Sequence, residues 1–370
     1  MNKFQLYTLT GKILALDQLP GQRDQVIREI REENIQWEKL VSIADHHLVL
    51  QAIYPKIRDH KLEEYFPEVI LEHLKYIFDL TTSRNLDVIK QVENLTAVLS
   101  KEGITPLYMK GVGNILDGLY KYPGERILHD IDFLVPEEKL LEAAEILQKD
   151  GYQSNYKWKP EFMKQNRHYP ILFKPGEPVY AELHWKAVNK IHEKDFTSEL
   201  IFRNAKKPAK YPECLVMSDE HKIIHNFMHA EVASHSRIYA REFMRNLYDM
   251  FLLSERKDPE VVLADFGHYR RTAAGYLDIT YDAFGVIPSK RILPKAFLHT
   301  FKYRYRLNLR SRFFGSLSLF VLRIFMGYIL NPFKAITNKE LRTQLITKIK
   351  DPKWYGKQFA YYKRVLGIKG

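Results

Sequence analysis

The chain has 370 residues, 45% hydrophobic and 13% aromatic, with 17 Gly and 17 Pro. This excludes a disordered or collagen-like polypeptide and leaves room for roughly two or three domains. Its formal charge is +12, yet residues 301–370 hold sixteen Lys or Arg against only Glu340 and Asp351, a local +14 that leaves −2 for the first 300 residues. A near-neutral body with a basic C-terminal piece points to a local anionic partner: nucleic acid, an anionic membrane surface or a polyanionic substrate.

The N-terminus, MNKFQLYTLTGKILALDQLPGQRD, has no apolar run followed by a small-residue cleavage site, so no secretory signal is read there. The single cysteine, Cys214, cannot form an intramolecular disulfide or a zinc cluster and reads as an inert, half-buried thiol. Both features fit a reducing, cytoplasmic setting. From Asp17 to about Leu99, apolar residues recur at three- and four-residue spacings between charges, which predicts helices.

After Gly103 the texture changes. Short β-type runs at 104–109, 129–135, 169–173 and 179–185 alternate with Gly- or Pro-containing turns and one helical stretch, 136–151. From Met217 the helical spacing returns, with Ser218 as a cap, and helices are expected to dominate to the end. The expected organisation is a helical region (1–99), an α/β core of the α+β type with a small mixed sheet (100–215), a second helical region (216–300) and a basic, aromatic-rich helical segment (301–370).

The informative chemistry lies in residues 107–135. On a strand over 129–135, the period of two puts Asp130, Asp132 and Leu134 on one face and Ile131, Phe133 and Val135 on the other. Two like charges one strand repeat apart repel unless a cation lies between them, and Mg²⁺ with substrate phosphates would supply one. The run VYAELHW places Tyr180, Glu182 and His184 together, making Glu182 a third candidate carboxylate. Lys110, Gly111 and Gly113 sit where a strand opens into a helix, and with Arg126 they are candidate phosphate ligands.

These residues, in this order, resemble the uncharacterised bacterial nucleotidyltransferase family of the polymerase-β-like superfamily. The likeness rests on Lys110-Gly111, which stands where the broader superfamily has Gly-Ser, on Arg126, on the run Asp130 to Val135, and on Glu182-Leu183-His184-Trp185. It implies a nucleotidyltransferase core in which Asp130, Asp132 and Glu182 hold Mg²⁺ or Mn²⁺ and act in catalysis. Lys110, Gly111, Gly113, Arg126 and His184 would lie at the nucleotide and its phosphates. The implied reaction moves a nucleoside monophosphate from an NTP to a hydroxyl-bearing acceptor (a small molecule, saccharide, protein or RNA) with release of pyrophosphate. The rival reading keeps this fold without catalysis, as a binding module docking through residues 301–370.

Three further features complete the reading. His221, His225 and His229 share a helix face, with His235 shortly after, and are read as a helix packed beside the active site rather than a metal ladder. Asp249 is expected to cap or to pair with Arg241 or Arg245. The apolar run 313–330 would span about 27 Å, barely a bilayer, and its Arg323 would cost about 2.5–3.5 kcal/mol at the centre. A buried or interfacial helix is therefore preferred to a membrane span, and an anionic membrane surface, on the cytoplasmic side, is the first docking partner read for the basic segment, with RNA or DNA, through its interleaved aromatics, the second.

Overall fold

The computed structural model describes residues 1–156, 158–159, 166–233, 242–287 and 291–293, with further residues between 305 and 360. It divides into two compact units: Met1–Ser234 with Glu242–Leu298, and His235–Arg241 with His299–Gly370.

The first unit begins with helices α1 (Lys3–Leu14), α2 (Gln22–Glu32), α3 (Trp37–His46) and α4 (Leu50–Asp59). Asn2 starts α1 with a reciprocal cap: its side chain accepts from the Gln5 amide, and Gln5 Oε1 accepts from the Asn2 amide. Helix α5 (Glu68–Lys101) follows Pro67. Its buried positions Leu74, Phe78, Thr81, Asn85, Val88, Val92, Leu95 and Leu99 alternate spacings of three and four, the pattern of a helix with one face inside. This long helix is the spine of the unit, and its C-terminal half packs on the sheet core.

Among the described residues the sheet has four strands: β1 (Leu107–Tyr108), β2 (Asp130–Leu134), β3 (Tyr180–His184) and β4 (Leu215–Val216), in the order β3-β2-β1-β4. β1 runs antiparallel to β2 and parallel to β4, while β2 and β3 are parallel, with Asp132 opposite Glu182 and Leu134 opposite His184. One face is apolar. Ile131, Phe133 and Val135 join Ala181, Leu183 and Trp185, the lower half of α5, and Leu140, Ala143 and Leu147 of α7 (Leu140–Lys149) in one buried cluster. The opposite face carries the charged side chains. A mixed α/β architecture, with a small sheet flanked by helices, is the one expected from the sequence.

The expected strand at 169–173 forms only isolated bridges, Leu172 to Ala181 and Phe173 to Gln153. Pro170 has no amide to donate to a ladder, and the segment covers the outer edge of β3 without becoming a full strand. The short strand β4 was not anticipated, since two residues carry no readable alternation.

The remaining helices of this unit are α6 (Lys110–Leu116), α8 (Ser198–Arg203), α9 (Asp219–Phe227), α10 (Met244–Ser254), α11 (Pro259–Ala264) and α12 (Arg270–Phe284). Ser218 caps α9, accepting from the His221 amide, and α9 passes directly into a π-helical turn, Met228–Ala233. In the second unit another π-helical turn, Phe325–Leu330, leads into α13 (Asn331–Thr337). Much of the run 313–330 lies outside the described residues, as do Arg241 and His235. Among the described residues no helix is long and apolar enough to cross a membrane. Cys214 is buried, and burial pushes its thiol up to about 11.

Candidate active site

Parallel pairing in register places Asp132 and Glu182 side by side on the polar face of the sheet, with Asp130 one strand repeat before Asp132. The ring of His184, fully buried two residues beyond Glu182, brings Nε2 to 2.9 Å from Asp132 Oδ1 and 3.4 Å from Glu182 Oε2. Its Nδ1 is buried without a hydrogen-bond partner. Placing the ring proton on Nε2 therefore satisfies the carboxylates and leaves only a lone pair unmatched. His184 thus orients the two carboxylates. Ligand atoms of Asp132, Glu182 and His184 lie within 4.8 Å of one another, a grouping suited to a metal ion.

Lys110 approaches from the other side. It takes a left-handed conformation, φ 50°, at the turn from β1 into α6, and its Nζ lies 2.5 Å from Asp132 Oδ1. A non-glycine residue held at positive φ stores strain of the order of 1–3 kcal/mol, which neighbouring structure must hold in place. Gly113 supplies part of that hold: a Cβ there would lie 2.4 Å from the Tyr108 carbonyl oxygen, so only glycine lets α6 sit this close to β1. At Gly111 an added Cβ would meet Leu128 at 2.8 Å. Both glycines have packing roles beside the phosphate role expected of them.

The carboxyls respond in opposite directions. Burial and the neighbouring Asp132 charge push Asp130 up to about 6, with Lys110 and Arg245 opposing. Burial acts the same way on Asp132, but the Lys110 ammonium and the His184 hydrogen bond outweigh it and hold that carboxyl well below the usual range. The His184 hydrogen bond likewise lowers Glu182 against its partial burial. Asp130 is therefore the carboxyl of the group that holds its proton to the highest pH.

Beside Asp130 and Lys110 opens a cavity of about 160 Å³. Lys110, Arg126, Lys222 and Arg245 bring cationic groups to its wall, while Asp132 and Glu182 stand outside it. Three of these cations have partners: Lys110 bonds Asp132, Lys222 bonds Asp117, and Arg126 bonds Asp249. Arg245 has no ion-pair partner among the described residues, and its Nε is buried without a hydrogen bond. Burial and the nearby Arg126 lower its guanidinium to about 10. Such a cation in a cavity wall is a candidate site for an anion.

Arg126 sits differently from the free phosphate ligand expected. Its Nε donates to Asp249 Oδ1 at 3.1 Å and its Nη2 to Asp249 Oδ2 at 3.2 Å, with Nη1 on the Ile127 carbonyl. The partner expected for Asp249 was Arg241 or Arg245, and the structure corrects this to Arg126; Arg241 is outside the described residues. The loop carrying Arg126 is fixed by Asn85, whose Nδ2 donates to the Pro123 and Arg126 carbonyls at 2.7 Å each, and by Glu125, which pairs with buried Lys56 at 2.9 Å. His225 and His229 line the cavity, and burial holds both far on the neutral side, His229 at about 3. Arg245 escaped the sequence reading because Asp249 four residues on looked like its helical partner. Only the long-range bond from Arg126 removes that partner.

A family model described as an uncharacterised nucleotidyltransferase matches residues 33–273. The chain belongs to this family. The match covers the acidic strands, the cavity and the helices bearing Asp249 and the histidines, and it makes the protein a nucleotidyltransferase, a transferase of phosphorus-containing groups. No curated protein matches the sequence. In this nucleotidyltransferase Asp132 and Glu182, held by His184, with Asp130 one strand repeat away, are therefore the candidate metal ligands, and the cation-lined cavity beside them the candidate nucleotide pocket.

Proposed function

We propose that the protein transfers a nucleoside monophosphate from an NTP to an acceptor hydroxyl, releasing pyrophosphate, with Asp130, Asp132 and Glu182 holding Mg²⁺. The observation that carries this reading is the in-register pairing of Asp132 with Glu182 beside Asp130 and the cation-lined cavity. The donor set fits the ion: three carboxylates are hard oxygen ligands, and beside burial the neighbouring Asp132 charge raises Asp130, a repulsion that a cation would relieve. When bound, the metal supplies charge neutralisation and alignment of the triphosphate.

The chain's own residues have the following roles. Arg245 receives the phosphates, since among the described residues it has no ion-pair partner to give up. Lys110 bridges the two regions, touching Asp132 while lining the cavity, where its ammonium would meet a phosphate. Arg126 occupies the Asp249 carboxylate and shapes the wall. His184 holds Asp132 and Glu182 in place. The acceptor oxygen attacks the α-phosphorus as the bond to the pyrophosphate oxygen breaks, and Glu182, the partly exposed member of the pair, takes the hydroxyl proton.

The test supplies the purified protein and cell extract with Mg²⁺ and each of the four NTPs labelled at the α-phosphate, and identifies by mass what becomes labelled. Transfer by the wild type that is abolished in Asp130→Asn with Asp132→Asn is expected. Undiminished metal-dependent transfer by that double variant would overturn the assignment, and absence of Mg-NTP binding by the wild type would favour the non-catalytic module.

A further inference from the structure

The second compact unit carries an apolar stripe that stays in solvent. The turn Phe325–Leu330 runs directly into α13. On this stretch Phe325, Tyr328, Ile329, Phe333 and Ile336 recur at spacings that share one side of a helix. They are 46, 54, 58, 72 and 67% exposed. Upstream, Leu317, Val321 and Ile324 continue the same spacing and are exposed too. A row of large apolar side chains in water marks a surface that something covers.

We propose that this stripe docks on an anionic lipid surface, with Phe325, Ile329, Phe333 and Ile336 entering the acyl boundary while the net positive charge of segment 301–370 draws it to the headgroups. Charge complementarity selects the occupant. The segment 301–370 carries a local +14, so pairing the stripe with a second copy of itself would press two strongly basic segments together. Nucleic acid would accept the cations but leave Ile329, Ile336 and Val321 in water, because stacking on bases requires aromatic rings. An anionic bilayer satisfies both features at once. The contact is interfacial, since Arg323 near the middle of the apolar run would cost about 2.5–3.5 kcal/mol at the centre of a bilayer.

The test uses the full chain in vesicle sedimentation, comparing phosphatidylcholine vesicles with and without phosphatidylglycerol, and repeats it with Ile329→Ser/Phe333→Ser. Both substituted side chains are well exposed, so an unchanged thermal melt is the check that the variant folds. The expected result is binding only to vesicles containing phosphatidylglycerol, weakened by raised salt and reduced about tenfold or more in the variant. Equal binding by wild type and folded variant would overturn the proposal. So would absence of vesicle binding, whether accompanied by binding to single-stranded RNA or by a dimer that the variant dissolves.

Discussion

Arg126 and Asp249 stand 123 residues apart in the chain and form a buried, two-pronged ion pair that ties the loop before β2 to helix α10. Tyr120 Oη adds a third donor to the same carboxylate at 2.6 Å. Removing one partner leaves the other charge buried and unpaired. Asp249→Ala is therefore expected to destabilise the fold by about 3–5 kcal/mol, read as a lowered urea midpoint. Asp249→Asn, which keeps some of the hydrogen bonds, should cost less.

Arg245 predicts the opposite sign for stability. Its unpaired guanidinium costs free energy in the empty protein, so Arg245→Gln should leave stability unchanged or raise it by about 1 kcal/mol. The same change should weaken Mg-NTP binding by about tenfold or more. Calorimetric titration with Mg-ATP, paired with a thermal melt, separates the two effects. A residue needed only for structure would lower both.

At Gly113 the expected consequence is steric. A methyl group aimed at the Tyr108 carbonyl forces α6 away from β1, and overpacking of this kind costs about 1–3 kcal/mol. Because Lys110 opens α6, Gly113→Ala should lose nucleotide binding before it loses the fold, a pattern visible by comparing NTP titration with chemical denaturation.

Acid should destabilise the protein earlier than its carboxylates alone would cause. Burial lowers His47 and His229 to about 3 and His225 well below its ordinary value. These groups are neutral in both states above about pH 6.5. As pH falls from there toward 3, the unfolded chain takes up protons that the folded one refuses, and stability declines. Each histidine contributes up to about 1.4 kcal/mol per pH unit in that window. His47→Gln should flatten the slope of denaturation midpoint against pH by about one proton's worth.

The alternation in β2 and β3 was legible because a half-buried strand writes its two faces into the sequence: Asp130 and Asp132 against Ile131 and Phe133, Glu182 and His184 against Ala181 and Leu183. The spine helix was legible for the same reason, through its alternating spacings of three and four. What could not be read were relations set by distant contacts. The partner of Asp249 comes from 123 positions away, and the unmatched state of Arg245 depends on that bond. Lys110 looked like a phosphate ligand from its turn, but its contact with Asp132 needs the register of β1 on β2. Segment 169–173 has strand composition, yet whether it forms a ladder is decided by the edge of β3 that it meets.

The most direct test of the central claim, that Asp130, Asp132 and Glu182 form a metal centre serving a bound nucleotide, is a Mn²⁺ titration by electron paramagnetic resonance with a non-hydrolysable NTP present. The wild type is expected to take up Mn²⁺ in a nucleotide-dependent manner, and Asp130→Asn with Asp132→Asn to weaken that uptake by about a hundredfold while still melting cooperatively. Equal Mn²⁺ uptake by the wild type and the folded double variant would contradict the account.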